Sequence, residues 1–186
     1  MKCSVYIATS ADGYIATPDG GVDWLHTSGN IDADMGNEDM GFQAFMNSVD
    51  CLIMGRKCMD MIASMNLSSE QWPYGNKRIV VLSHTVKEPP ESLQGRVNMY
   101  SGSIPDLMLA LENEGFKHAY IDGGSTITSF INLKLIDQMI ITQAPILLGE
   151  GISLFGKVKH RPKLENAKTK AFINDFVQVK YNVNYS

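Results

Sequence analysis

A chain of 186 residues, 44% hydrophobic and 19% charged, has the make-up of one ordinary globular domain and is long enough to bury a core without staples. Its formal net charge of -4 gives no general pull toward nucleic acid or an acidic membrane, and no apolar run approaches the ~20 residues that span a bilayer. Cys3, Cys51 and Cys58 and four scattered histidines have no metal-ligand spacing, and MKCSVYIATS lacks the apolar core of a signal peptide, so the expectation is a cytoplasmic protein with no disulfide framework and no metal.

Cys3 to Ala8 is a short apolar run that fits a buried first strand, and Ser10-Ala11-Asp12-Gly13 after it is a turn signal. Tyr14-Ile15-Ala16 brings apolar residues back before a second turn at Pro18-Asp19-Gly20-Gly21. Such a path builds one wall of a pocket, or simply packs a hairpin. Val22-Asp23-Trp24-Leu25 places a large ring after the glycines, more often a core or lid residue than a chemical one, and His26 to Asn37 reads as an exposed loop. A helix is expected from about Asn37–Asp39 to Val49, with Phe42, Phe45, Met46 and Val49 along one face. Glu38 and Asp39 then fall in its first turn, where capping is their plainest use.

Cys51-Leu52-Ile53-Met54 is continuously apolar, as a parallel strand buried on both faces would be. It runs into Gly55-Arg56-Lys57-Cys58 and a short helical pattern through Met59, Met61, Ile62 and Met65. The cations there suit a phosphate, or are a solvated basic pair. Arg78 to Leu82 is the next buried strand, ending at Ser83-His84-Thr85, which binds a phosphate or starts a turn. Val97 to Tyr100 reads as a strand, and Ile104 to Glu114 as a helix with Leu107 and Leu111 inward, stopped by Gly115. His118 to Ile121 is a strand, Gly123-Gly124 a turn, and Ser125 to Leu133 a helix with Ile127, Phe130 and Ile131 inward.

Glycine admits close approach of a ligand to the backbone, and the first amides of a helix have no partner inside it, so the glycine turn suits a phosphate or pyrophosphate. Taken alone, a Gly-Gly pair is more often just a tight connection. Strand and helix alternate from Cys51 to Leu133, which predicts an α/β fold with a mostly parallel sheet. Ligands in such sheets lie beyond the carboxyl ends of the strands, so one ligand can touch Gly55, Ser83 and Gly123 together. After Leu135 the pattern changes: a long strand from Ile136 to Pro145, an apolar stretch into Gly149-Glu150-Gly151, then strands at Ala171-Phe172 and Phe176 to Val183 joined by Asn174-Asp175. The whole of 1–186 is read as one domain with an antiparallel C-terminal hairpin, whose exposed face or edge a second copy could cover.

Ala8 with Ser10-Ala11-Asp12-Gly13-Tyr14-Ile15-Ala16, then Val22-Asp23-Trp24, Met54-Gly55-Arg56-Lys57, Val81-Leu82-Ser83, Ile121-Asp122-Gly123-Gly124-Ser125 and Ala144-Pro145-Ile146-Leu147-Leu148-Gly149-Glu150-Gly151 resemble, in order, the dihydrofolate reductase superfamily. They look most like its branch containing the pyrimidine reductase domain of riboflavin biosynthesis. That resemblance covers nearly the whole chain and implies a three-layer α/β/α fold, NADPH as cofactor and a homodimer. It places Ala8 and Ile15 at the nicotinamide, Gly55, Arg56, Lys57 and Cys58 along the pyrophosphate and adenosine side, and Leu82, Ser83 and His84 near the adenosine ribose. It puts Gly123, Gly124, Ser125, Thr126 and Ile127 around the pyrophosphate.

Where Cys58 stands a threonine is usual, and a thiol is the poorer donor; where His84 stands an arginine is frequent, and a neutral imidazole discriminates less for a 2′-phosphate. The resemblance also gives Asp39 a catalytic carboxylate role and makes Trp24, Asp39 and Phe42 the substrate end. The implied activity is hydride transfer from NADPH to a C=N or C=O group of a pterin- or aminopyrimidine-like heterocycle. The His/Cys zinc motif of the deaminase domain that often precedes such reductases is absent from these residues, so a stand-alone relative is expected. Rival readings are an NADP-binding protein of the same fold without turnover, and a structural protein whose glycines serve folding alone.

Overall fold

A computed structural model describes all 186 residues. In chain order the elements are β1 (Lys2–Thr9), β2 (Tyr14–Ala16), α1 (Trp24–Thr27), α2 (Phe42–Ser48), β3 (Cys51–Gly55), α3 (Arg56–Ser64), β4 (Arg78–Leu82), β5 (Asn98–Tyr100), α4 (Ile104–Asn113), β6 (His118–Asp122), α5 (Gly124–Asn132), β7 (Gln138–Gln143), β8 (Ile152–Ser153), β9 (Lys163–Ala171) and β10 (Val177–Asn184). The main sheet runs β5-β4-β3-β6-β1-β7-β10-β9. From β5 to β7 every pairing is parallel; β10 joins β7 antiparallel and β9 joins β10 antiparallel. A separate pair, β2 with β8, ties the second apolar patch to the loop after β7.

Alternation along the central strands makes two cores from one sheet. Cys51 and Ile53 of β3 pack with Ile121 of β6 against Leu107 and Leu111 of α4 and Ile127, Phe130 and Ile131 of α5. Leu52 and Met54 point the other way, into a cluster with Phe45 and Met46 of α2, Met59 and Ile62 of α3, and Tyr120. This is a three-layer α/β/α arrangement, and the uninterrupted apolar run of β3 follows from burial on both sides. A smaller cluster of Trp24, Ala144, Phe172 and Phe176 lies under the C-terminal hairpin.

Several boundaries differ from the sequence reading for physical reasons. The helix expected from Asn37–Asp39 begins at Phe42, because Met40 and Gly41 adopt left-handed backbone at φ 57 and φ 84, which no helix continues through. The hairpin strand expected at Ala171-Phe172 is β9, nine residues long and exposed throughout. KLENAKTKA has no apolar alternation because it forms the sheet edge, held by backbone pairing and kept soluble by its lysines. By contrast, α4 matches expectation: Ser103 caps it through the Asp106 amide, and Gly115 at φ 94 ends it.

Polar ties close the amino-terminal edge of the parallel strands. The Asp50 carboxylate accepts from the Lys117 and His118 amides at 2.7 and 2.9 Å, while the His118 ring lies 2.7 Å from both Ser4 Oγ and the Ser48 carbonyl. The opposite edge, where the strands end, is built differently.

Candidate active site

Because β3, β4 and β6 are parallel neighbours, their carboxyl ends share one edge: Met54 pairs with Asp122, and Gly55 with Leu82. Two helices start there, α3 directly after Gly55 and α5 directly after Gly123, and neither has a side-chain cap. Their first amides therefore have no partner within their own helices, and both positive dipole ends lie along one rim. Arg56 and Lys57 are exposed at the start of α3, Arg56 lying 3.7 Å from Asp60. Ser125 is exposed at the start of α5, whereas Thr126 and Ile127 are buried.

The glycines serve the chain's own packing. A Cβ on Gly55 would lie 3.0 Å from Thr126 Oγ1, one on Gly123 would lie 2.6 Å from Cys58 Sγ, and one on Gly124 would lie 2.8 Å from the Leu154 carbonyl and 3.1 Å from Ile15 Cδ1. Gly123 also has φ +88, where a side chain is disfavoured. The sequence reading gave these glycines two uses, close approach of a ligand or a tight connection, and the contacts an added Cβ would make bear on the second. What the glycines permit is the close seating of α3, α5, β8 and Ile15, which brings the free helix ends together.

The remaining expected cofactor residues fall around this rim. Ala8 is half-buried near the end of β1, which pairs with β6. Leu82 and Ser83 close β4, and Ser83 Oγ accepts from the Thr85 and Val86 amides at 3.3 and 2.9 Å, so the turn reading of that serine holds; His84 beside it is exposed. Cys58 is half-buried and its thiol is pushed up to about 12 by burial, which makes it a packing group rather than a nucleophile.

The substrate-end expectations fare unevenly. Asp39 accepts from the Gly41 amide at 2.8 Å and the Gln43 amide at 2.7 Å, and these bonds, that of Gln43 foremost, hold its carboxyl below the usual range. It caps the entry to α2 and suits an acceptor, not a proton donor. Phe42 is half-buried and meets Tyr6 edge-on at 5.5 Å. Trp24 lies 6% exposed inside the small cluster, closed in by Phe172 and Phe176, so packing takes up the ring expected to stack on substrate.

One residue that the sequence reading left without a role is Asp122. It is half-buried at the end of β6, accepts the Gly123 amide at 2.9 Å, and is pushed up to about 6 by burial, against that hydrogen bond. Tyr6, Phe45 and Tyr120 form a wall on the same face of the sheet: Tyr6 stacks on Phe45 at 5.1 Å, Phe45 meets Tyr120 edge-on at 5.0 Å, and Tyr120 Oη donates to the Tyr6 carbonyl at 2.8 Å. The available signal was a carboxylate set between a buried strand and a glycine turn, where desolvation is unavoidable.

The family model for the RibD C-terminal domain matches residues 2–178. The chain belongs to this family. Two Bacillus subtilis proteins, both uncharacterized, align along almost their full length: YwjB is 32% identical over 182 residues, covering 97% of each chain, and YyaP is 30% identical over 184 residues, covering 96% of this chain and 93% of its own. Among solved structures, a protein from Shewanella sp. PV-4, provisionally assigned to riboflavin biosynthesis, superposes with a TM-score of 0.88 at 40% identity and 99% coverage of both chains. RibD of Acinetobacter baumannii superposes with a TM-score of 0.70 at 16% identity, 98% of this chain lying over 58% of that one, a likeness of fold alone. The chain has the dihydrofolate reductase-like fold that the sequence motifs implied. No helix is long and apolar enough to cross a membrane.

Proposed function

We propose that this RibD-like chain is an NADPH-dependent reductase acting on a pterin- or aminopyrimidine-like heterocycle, with a C=N or C=O group as the hydride acceptor. The observation that carries this reading is the meeting of two uncapped helix N-termini at adjacent strand ends, beside a half-buried carboxyl group poised near neutrality. A solved relative from Thermotoga maritima is named a deaminase and 5-amino-6-(5-phosphoribosylamino)uracil reductase, which favours the aminopyrimidine class.

NADPH, when bound, supplies the hydride. The amides opening α3 and α5, with Arg56 and Lys57, would offset the charge of its phosphates, and backbone groups at Ala8 and Ile15 would hold the nicotinamide end. Asp122 holds the proton that the substrate heteroatom needs as its carbon is reduced: the carboxyl O–H breaks, the new N–H or O–H forms, and solvent restores the acid. A carboxyl near 6 still has a protonated fraction at neutral pH, whereas one in water has almost none. Asp39, ionised and exposed, serves as an acceptor for an amino edge of the substrate, with Phe42 beside it.

The test is NADPH oxidation, followed by absorbance, with 5-amino-6-(5-phosphoribosylamino)uracil, dihydrofolate and a panel of pterins. Turnover with at least one heterocycle is expected. NADPH binding with no turnover on any of them would make the chain a cofactor-binding relative, and no binding at all would remove the reductase reading.

A further inference from the structure

The corner leading into α2 is held by side chains from distant strands on the sheet face that α2 covers. Met40 sits at φ 57 and Gly41 at φ 84, a backbone that a side chain at Met40 disfavours, so something must fix it. Two donors meet on the Met40 carbonyl, Tyr6 Oη at 2.9 Å and Gln178 Nε2 at 2.9 Å. The second proton of the Gln178 amide is taken by Thr142 Oγ1, also at 2.9 Å, on a threonine only 3% exposed. The Met40 amide donates to Glu38 Oε1 at 2.9 Å, and the other Glu38 oxygen pairs with Lys170 Nζ.

These partners come from β1, β7, β9 and β10, so both strands of the C-terminal hairpin grip residues that precede α2. The neighbouring sheet face is otherwise apolar and aromatic, with Phe45, Tyr120 and Ile140. Apolar side chains would fill that space without direction. An amide and a phenol aimed at one carbonyl, the amide itself held by the Thr142 hydroxyl, fix its place instead, since hydrogen bonds there are directional and costly to leave unmade. The corner carries Asp39, and Phe42 rests edge-on against the same Tyr6 ring.

We infer that Gln178, together with Tyr6, is a positioning residue: by gripping the Met40 carbonyl, the C-terminal hairpin sets the Glu38–Phe42 wall of the substrate end, leaving the cofactor rim untouched. This rests on the proposed reductase reading for what the wall faces. It also gives the antiparallel strands a task beyond covering the sheet edge.

The test compares Gln178→Leu and Tyr6→Phe with the unaltered full-length chain. By hydrogen–deuterium exchange, the amides of residues 38–43 should exchange about tenfold faster in each variant, with those of 55–58 and 123–127 unchanged. NADPH Kd should stay within about twofold, and KM for 5-amino-6-(5-phosphoribosylamino)uracil should rise about five- to tenfold, with kcat held within about twofold. Unchanged exchange at 38–43 in both variants would overturn the inference, as would equal losses of NADPH and substrate affinity, which would mean general loosening. Tyr6→Phe removes one hydroxyl and keeps the ring, so it reports even where Gln178→Leu folds poorly. If the unaltered protein neither binds NADPH nor reduces that compound, the reductase reading fails, while the exchange pattern still decides whether Gln178 and Tyr6 hold the corner.

Discussion

Replacing Asp122 with asparagine is expected to lower turnover by about 10²–10⁴-fold, the usual worth of a positioned acid, while making the protein more stable above pH 6. Asparagine keeps the shape and can still accept the Gly123 amide, but it has no proton to give. Stability moves the other way because burial raises the folded pKa to about 6 from the ordinary aspartate value of 3.8. For a carboxyl group raised on folding, the fold is favoured fully below the unfolded pKa, and that advantage is lost as pH rises through the folded one. Wild type and variant should therefore differ least below about pH 4, diverge between about 4 and 6, and reach a plateau above, where the Asp122→Asn variant is the more stable by at most about 3 kcal/mol. Denaturant titrations at several pH values, with kcat measured alongside, check both halves. Undiminished turnover, or a stability difference independent of pH, would remove Asp122 from the chemistry.

The second large effect is at the glycine turn. Gly123→Ala should cost about 2–3 kcal/mol, roughly 1–2 from forcing a side chain into left-handed backbone and the rest from overlap with a thiol. That overlap is specific, since the new Cβ would stand 2.6 Å from Cys58 Sγ. In a Cys58→Ala background the substitution should cost only the backbone share, so the pair should show a coupling of about 1 kcal/mol in a double-mutant cycle read from urea midpoints. Costs that simply add would mean that the turn relaxes away from α3 and that the two helix starts are not seated on each other.

What was legible in the sequence follows from which forces leave a local mark. CLIM announces a strand buried on both faces, and Gly55, Ser83 and Gly123 each follow an apolar run, so parallel pairing alone brings them to one edge. The edge strand β9 leaves no such mark, because backbone pairing holds it and none of its side chains is buried. The start of α2 was misplaced because its capping carboxylate lies before a left-handed pair, and that pair is fixed by Tyr6 and Gln178, distant in sequence. Trp24 looks equally suited to stacking or packing by type; Phe172 and Phe176, far along the chain, decide for packing. Asp122 stood in plain view beside the glycines, yet its character comes from a burial that periodicity does not report.

The most direct test is to titrate NADPH into the ¹⁵N-labelled protein and follow amide shifts. If the uncapped ends of α3 and α5 form one dinucleotide cradle, the amides of Gly55 to Cys58, Ser83 and Gly123 to Ile127 should move together and saturate at a single Kd, while those along α4 stay still. Shifts confined to any other surface, or no saturable change in these amides, would contradict it.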